Sequence, residues 1–397
     1  MTLRPNRPVY LDCQATTPCD PRVVTGMLPW FNENFGNPHS IEHALGRAAD
    51  AAVEQARAAL ASLIGADPRE VVFTSGATES NNLAIKGAAR FAAAEGDKRR
   101  RVVTVATEHK CVLESVADVA AQGAGEGFEP VVLPVGADGL LDPAALRAAL
   151  AVPTLLVSVM AVNNEIGVVQ NLAALAALAH EHGALFHTDA AQAVGRIPLD
   201  VRALGIDLLS VSGHKFYAPK GVGALYVRRR PRVRLAPLFS GGGQERGLRS
   251  GTLPAPLLVG LGEACRIAAA EMAAESARIA ALRDRMLAGL AAALPGIVVN
   301  GSRTARIPGN LSLTFPAARA QALMAACPDL CISTGSACGS AEVEPSHVLR
   351  ALGLSEDAAR RTLRIGIGRF TSPADIDFAV AALAAAHASV ASQRTEA

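Results

Sequence analysis

Two stretches decide the fold: Leu185-Phe186-His187-Thr188-Asp189-Ala190-Ala191-Gln192 and Leu208-Leu209-Ser210-Val211-Ser212-Gly213-His214-Lys215. Each is a short apolar run that breaks into polar residues, as a buried strand does where it leaves a sheet. The spacing from Asp189 to Lys215 leaves room for one crossover connection and a further strand. Working outward, residues 71–74, 102–106, 131–135, 155–161 and 223–227 read as further strands, with helical stretches at 79–94, 113–121 and 172–180. Such alternation predicts a mostly parallel sheet with helices on both faces. From about Pro254 the texture changes. Residues 255–294 form an alanine-rich helical stretch, followed by strand candidates at 310–315 and 362–367 and a Ser/Gly-rich segment at 333–340. The reading is a large α/β domain over residues 17–260 and a smaller α/β domain from 1–16 and 261–397.

The 397 residues carry 38 Lys+Arg against 36 Asp+Glu, a net charge of +2, which gives no support to nucleic-acid binding by bulk charge. Half the residues are hydrophobic, as a globular chain requires. The N-terminus has no apolar core of a signal peptide, and the longest apolar run, between Arg147 and Asn163, contains Pro153 and is too short to span a bilayer. The seven cysteines are odd in number and scattered, which suits reduced thiols; the expectation is a cytoplasmic protein without membrane contact. Only five of the basic residues are lysines: Lys86, Lys98, Lys110, Lys215 and Lys220.

In a sheet of this kind ligands bind beyond the carboxyl ends of the strands. The first strand is followed by Thr74-Ser75-Gly76-Ala77-Thr78-Glu79, small residues that leave backbone N–H groups free to hold a phosphate at a helix N-terminus. The next delivers Thr107-Glu108-His109-Lys110, and two more deliver Asp189 and Lys215. Singly, each residue has an ordinary structural reading: a Ser/Thr cap, a surface histidine, an N-cap aspartate, a solvated loop lysine. Together they meet the needs of pyridoxal 5′-phosphate: a lysine for the aldehyde, a carboxylate for the pyridine nitrogen, donors for the phosphate and a ring to stack on the pyridine.

The chain resembles the cysteine desulfurases, fold-type I, class V pyridoxal-phosphate enzymes. The motifs that carry the resemblance are Leu11-Asp12 with Ala15-Thr16-Thr17-Pro18, Phe35-Gly36-Asn37-Pro38-His39-Ser40, Phe73 to Ser80 and Thr107-Glu108-His109-Lys110. They continue through Val162-Asn163-Asn164-Glu165-Ile166-Gly167, His187 to Gln192, Ser212-Gly213-His214-Lys215, Arg249-Ser250-Gly251-Thr252 and Gly335-Ser336-Ala337-Cys338. The resemblance runs from about residue 8 to about residue 385. It implies that Lys215 holds the cofactor and moves protons at the substrate α carbon. Asp189 pairs with the pyridinium, Gln192 with the phenolate oxygen, and His109 stacks on the ring and acts as a catalytic residue in acid–base transfer. Thr78, Ser212, His214 and the N–H of Ala77 hold the phosphate, with Thr252 reaching it from the neighbouring subunit of a homodimer. Asn164 lies against cofactor and substrate, and Arg364 binds the substrate carboxylate.

Cys338 is implied as the thiol that receives sulfur from L-cysteine, the small residues around it supplying mobility. L-Alanine is the other product, and a scaffold or sulfur-relay protein is the acceptor, for iron–sulfur clusters or tRNA thiolation. A metal site from Cys327, Cys331, Cys338 and His347 has neither zinc nor ferredoxin spacing, so none is expected. Cys13, Gln14 and Cys111 depart from the usual pattern. Residues 384–397 are shorter than the tail with which cluster-assembly desulfurases dock their scaffold, which leaves the acceptor open. Selenocysteine lyase is the nearest alternative reading, and a non-catalytic sulfur-relay protein the alternative from another class.

Overall fold

The computed structural model describes residues 8–121, 127–334 and 345–395. Twelve strands are found among them. A two-residue strand β1 (Val9–Tyr10) is followed by β2 (Val71–Thr74), β3 (Arg101–Val105), β4 (Glu129–Leu133), β5 (Thr154–Ser158), β6 (Leu185–Asp189), β7 (Leu208–Ser212) and β8 (Gly223–Val227). Then come β9 (Val298–Val299), β10 (Asn310–Thr314), β11 (Leu330–Cys331) and β12 (Thr362–Gly366). Seven strands form the main sheet in the order β2-β8-β7-β6-β5-β3-β4. Only β8 runs against its neighbours, so the other six open their carboxyl ends on one edge. The expected mostly parallel α/β architecture is the one observed.

Alternate residues of each strand serve two cores. Val71, Phe73, Val103, Val105, Val157, Phe186, Leu209 and Val211 face one way, against the helices Ala44–Ile64 and Leu172–Glu181 and the first part of Ala255–Ala293. Val72, Val102, Leu156, Leu208 and Leu225 face the other, against Ala77–Ala94 and Lys110–Ala121. Covered on both faces, β2, β5, β7 and β8 are buried along their whole length. A separate core gathers Leu311, Leu313, Phe315, Leu363 and Ile365 from the sheet β12-β10-β9 with Ile279, Leu282, Met286 and Leu290. Val9 and Leu11 belong to this second core, where β1 pairs in parallel with β11. The helix Ala255–Ala293 is 39 residues long; Leu258, Leu261 and Cys265 pack in the first core and its later residues in the second. Among the described residues no helix is long and apolar enough to cross a membrane.

The helices at 77 and 110 begin two or three residues earlier than the apolar pattern predicts, because their first turns are polar or small. That shift places Ala77 and Thr78 inside the first turn and His109 directly before the other helix. The turn into the helix Ala77–Ala94 depends on close backbone approach. Gly76 has φ +151, and a Cβ on Gly223 would lie 2.6 Å from the Gly76 Cα and 2.3 Å from the Val211 carbonyl oxygen.

Beneath that turn, the buried Arg57 guanidinium forks onto Glu245 at 2.7 and 2.8 Å, and the Phe73 N–H donates to the same carboxylate at 2.7 Å. Arg57 also covers the Phe73 ring, 4.4 Å from its centroid. Glu245→Ala leaves the buried guanidinium with only Glu54 and the Val71 carbonyl, at 2.9 and 3.0 Å, and unpairs a strand N–H; it is expected to lower unfolding stability by about 3 kcal/mol. Urea unfolding of the variant beside the parent chain measures this, and an unchanged midpoint contradicts it.

Candidate active site

A cavity of about 520 Å³ lies at the carboxyl edge of the main sheet. At its floor, Lys215 sits in a single 3-10 turn, Gly213–Lys215, that continues β7. Its Nζ donates to the carbonyls of Gln14 at 2.8 Å and Ala15 at 2.7 Å. Burial, reinforced by the Arg196 and Arg364 charges, lowers the amine to about 8. Arg196 braces the turn, donating to the Lys215 carbonyl at 2.7 Å and the Cys13 carbonyl at 2.6 Å.

One strand over, β6 ends in Asp189. Its Oδ2 accepts from Asn81 Nδ2 at 2.7 Å and its Oδ1 from the Ala191 N–H at 2.9 Å. His187, two residues before it, is fully buried between Ser158 and Ser210, at 2.8 and 3.0 Å; burial lowers it to about 3, so it is a neutral strut. His109 opens onto the cavity from the end of β3. Its ring is solvent-accessible within a recess, and that recess together with the surrounding cations holds its pKa below the usual imidazole value despite Asp189. His214 Nδ1 meets Thr16 Oγ1 at 2.9 Å, and burial with the neighbouring Lys215 lowers the ring to about 4.

Across the opening, Arg364 on β12 is almost wholly buried, with Nη2 on Asp12 Oδ1 at 2.7 Å and Nη1 on the Asn164 carbonyl at 3.1 Å. Its Nε has no partner. Gln192 is tied at both ends: Nε2 donates to the Gln14 carbonyl at 2.9 Å, and Oε1 accepts from Arg196 at 3.0 Å.

The structure therefore brings Ala77, Thr78, His109, Asn164 and Asp189 to one cavity with Gln192, Ser212, His214, Lys215 and Arg364. Thr252 is exposed and does not line it. Cys338 lies outside the described residues. The wall also holds Gln14, Cys111, Glu165 and His347, with Asn81 and Arg196 directly behind. Of these, Asn81 and Arg196 carry no sequence signal as site residues, because each is placed by a contact far along the chain, and His347 enters the sequence reading only as a rejected metal ligand. Burial raises Glu165, whose Oε2 accepts from Ser346, and His347 Nε2 donates to the Glu108 carbonyl at 2.9 Å.

Pyridoxal phosphate can be tested against these residues. The helix Ala77–Ala94 starts with no side-chain cap on its first amides, and Gly76 leaves the space before it open towards Ser212 Oγ. A carboxylate and a readily deprotonated amine stand at adjoining strand ends. That donor set fits the phosphate, pyridine nitrogen and aldehyde of the cofactor. Fold and site together define a pyridoxal-phosphate-dependent enzyme built on a doubly wound sheet.

Comparison with known proteins narrows the class. The aminotransferase class-V family matches residues 9–378, and the chain belongs to it. A cysteine desulfurase of Homo sapiens is 53% identical over 374 residues, 94% of this chain and 80% of that one. A mitochondrial cysteine desulfurase of Arthroderma benhamiae is 53% identical over 378 residues, 95% of this chain and 74% of that one. The solved structure of a NifS-like protein superimposes with a TM-score of 0.87 at 33% identity, covering 95% of this chain and 98% of that one. These names overturn the expectation of a cytoplasmic protein: relatives from Dictyostelium discoideum and Drosophila melanogaster, like that of Arthroderma benhamiae, are named mitochondrial. Reduced, scattered thiols are common to both compartments and so do not distinguish them.

The lowered amine has a direct readout. In cofactor-free protein, labelling of Lys215 by an amine-selective reagent, followed by peptide mapping, should rise with pH to a midpoint near 8. A midpoint at the ordinary lysine value would contradict the burial argument.

Proposed function

We propose that the chain is a pyridoxal 5′-phosphate-dependent cysteine desulfurase that converts L-cysteine to L-alanine and passes the sulfur to the Cys338 thiol as a persulfide. The observation that carries this reading is the Lys215 amine beside the Asp189 carboxylate at adjoining strand ends, with the Arg364 guanidinium across the same cavity. Atoms and electrons balance: one sulfur leaves the substrate carbon for the enzyme thiol, and two thiols become one persulfide and a C–H bond. The cofactor, when bound, supplies the electron sink that lets the carbon–sulfur bond break.

The protein's own residues do the rest. Lys215 holds the aldehyde carbon and carries protons at the substrate α carbon; an amine that deprotonates near neutrality serves both roles, which an arginine cannot. Asp189 keeps the pyridine nitrogen protonated. His109 stacks on the ring, and Gln192 addresses the phenolate oxygen. Thr78, Ser212, His214 and the Ala77 N–H hold the phosphate. Asn164 and Arg364, both in the cavity wall, hold the substrate, Arg364 as a fork for the carboxylate. Thr252, exposed on the single chain, is read as reaching the phosphate of a neighbouring subunit, which makes the working unit a homodimer.

The two regions of the chain divide the labour. Residues 17–260 bind the cofactor, while 1–16 and 261–397 contribute Arg364 and the cysteine segment, the helix Ala255–Ala293 serving both cores. The persulfide passes to an acceptor protein, a cluster scaffold or sulfur relay, supplying iron–sulfur assembly or tRNA thiolation.

Two variants test the assignment. Lys215→Ala should lose the covalently bound cofactor absorbance and L-alanine production together; turnover with that band intact would overturn it. Cys338→Ser should keep the absorbance and lose both L-alanine and sulfide formation. Arg364→Lys, which removes the planar fork, should raise KM for L-cysteine about tenfold or more with a smaller change in kcat.

A further inference from the structure

Cys111 stands in the first turn of the helix that follows His109, and its thiol is in the cavity wall. Its backbone N–H donates to His109 Nδ1 at 3.2 Å. An N–H can meet only a lone pair, so Nδ1 is the acceptor and the neutral ring carries its proton on Nε2. The Cys111 Sγ lies 3.0 Å from the same Nδ1, which makes the thiol a donor to it. On its other side the sulfur accepts from Asn81 Nδ2 at 3.2 Å, and that same nitrogen gives its second hydrogen to Asp189 Oδ2 at 2.7 Å. With its Nδ2 turned to the Asp189 carboxylate, Asn81 leaves its Oδ1 buried without a partner. Burial, with the Asp189 charge second, pushes the thiol up to about 12, so the sulfur stays protonated over the working range.

We infer that Cys111 is a positioning residue and not a sulfur carrier: through Asn81 it connects the Asp189 carboxylate to His109 and holds His109 as the Nε2–H tautomer. The inference rests on the reading of Asp189 and His109 as cofactor contacts. Four other charged groups act on the same ring: Asp189 favours its cation, while Lys215, His347 and Lys110 oppose it. The thiol adds a donor that only the neutral ring can accept. Protonation of Nδ1 would turn an N–H towards the Cys111 N–H and leave the thiol only its weaker role as acceptor, so it is disfavoured. Removing the thiol therefore raises the His109 pKa, and a serine hydroxyl, which also donates and accepts, restores it.

The test uses holoenzyme with Cys111→Ala and Cys111→Ser beside the parent. In the alanine variant the His109 midpoint, followed by nitrogen-15 NMR of labelled histidine and assigned with His109→Gln, should move up by about half a pH unit or more, the equivalent of one neutral hydrogen bond. The acid limb of kcat/KM and the pH midpoint of the cofactor absorbance should move the same way, and Cys111→Ser should return all three. Unchanged midpoints in Cys111→Ala, a serine variant no closer to the parent than alanine, or labelled sulfur from cysteine recovered on the Cys111 peptide would each overturn the proposal. Should the alanine variant fail to fold, Cys111→Val removes the same donor while keeping a side chain of similar size, and is read the same way. Asp189→Asn separates the two levels of inference. If it leaves the absorbance band unmoved, the cofactor reading itself falls; if the band moves while Cys111→Ala changes nothing, only the positioning role falls.

Discussion

An amine held at the end of a buried strand gives up its proton readily only if its acceptors carry no charge of their own. In this protein two backbone carbonyls, of Gln14 and Ala15, meet the Lys215 nitrogen, and both come from the segment that leads out of the second core. That contact holds only if the segment is fixed, and a ring of bonds fixes it. Thr17 donates to the His214 carbonyl from both its N–H and its hydroxyl, and Arg196 spans the Cys13 and Lys215 carbonyls. Neutral acceptors leave the desolvation of the ammonium largely uncompensated, and the nearby guanidinium groups add to the cost. The chemistry asks for such an amine, one that gives up its proton readily. The same bonds that lower its pKa also close the floor of the cavity, so placement and reactivity come from a single arrangement.

The cavity is bounded by two sheets of different origin. The main sheet supplies the acid, the amine and the uncapped start of the helix Ala77–Ala94, all at strand ends. The smaller sheet supplies Arg364, whose guanidinium is oriented by Asp12 and by the Asn164 carbonyl from the opposite side. Its main chain is bonded to Ser333, so the arginine also anchors the stretch that leads into the cysteine segment. A substrate carboxylate bound there would thus touch a residue connected to each part of the machinery.

Much of this was legible in the sequence, for a physical reason. Strands buried on both faces must be apolar throughout and must turn polar where they end, and those ends are where Asp189 and Lys215 stand. The periodic helix Ala44–Ile64 carries its signal in Val53, Ala56, Leu60 and Ile64, yet it lies away from the motifs and was not singled out. The starts of the helices at 77 and 110 were misplaced because a first turn built to face a ligand lacks the apolar repeat. Asn81 and Arg196 were beyond reach, and the place of His347 in the cavity wall was too. Asn81 lies inside a helix, and its partner Asp189 is 108 residues away, a pairing that no local pattern encodes. The sharing of the helix Ala255–Ala293 between two cores was equally hidden, since an alanine-rich repeat looks the same whichever core it serves.

That helix has a mechanical consequence. Its 39 residues, rising about 1.5 Å each, form a rod of roughly 58 Å with no break between the portions buried in the two cores. Two lobes joined by a loop can swing about it; two lobes packed on one unbroken rod can do so only by bending or unwinding helix. The energy of large lobe motion is thereby set by backbone hydrogen bonds, not by linker entropy. For the same reason, loss of either core frays the rod that the other packs against, and the described chain should melt as one cooperative unit.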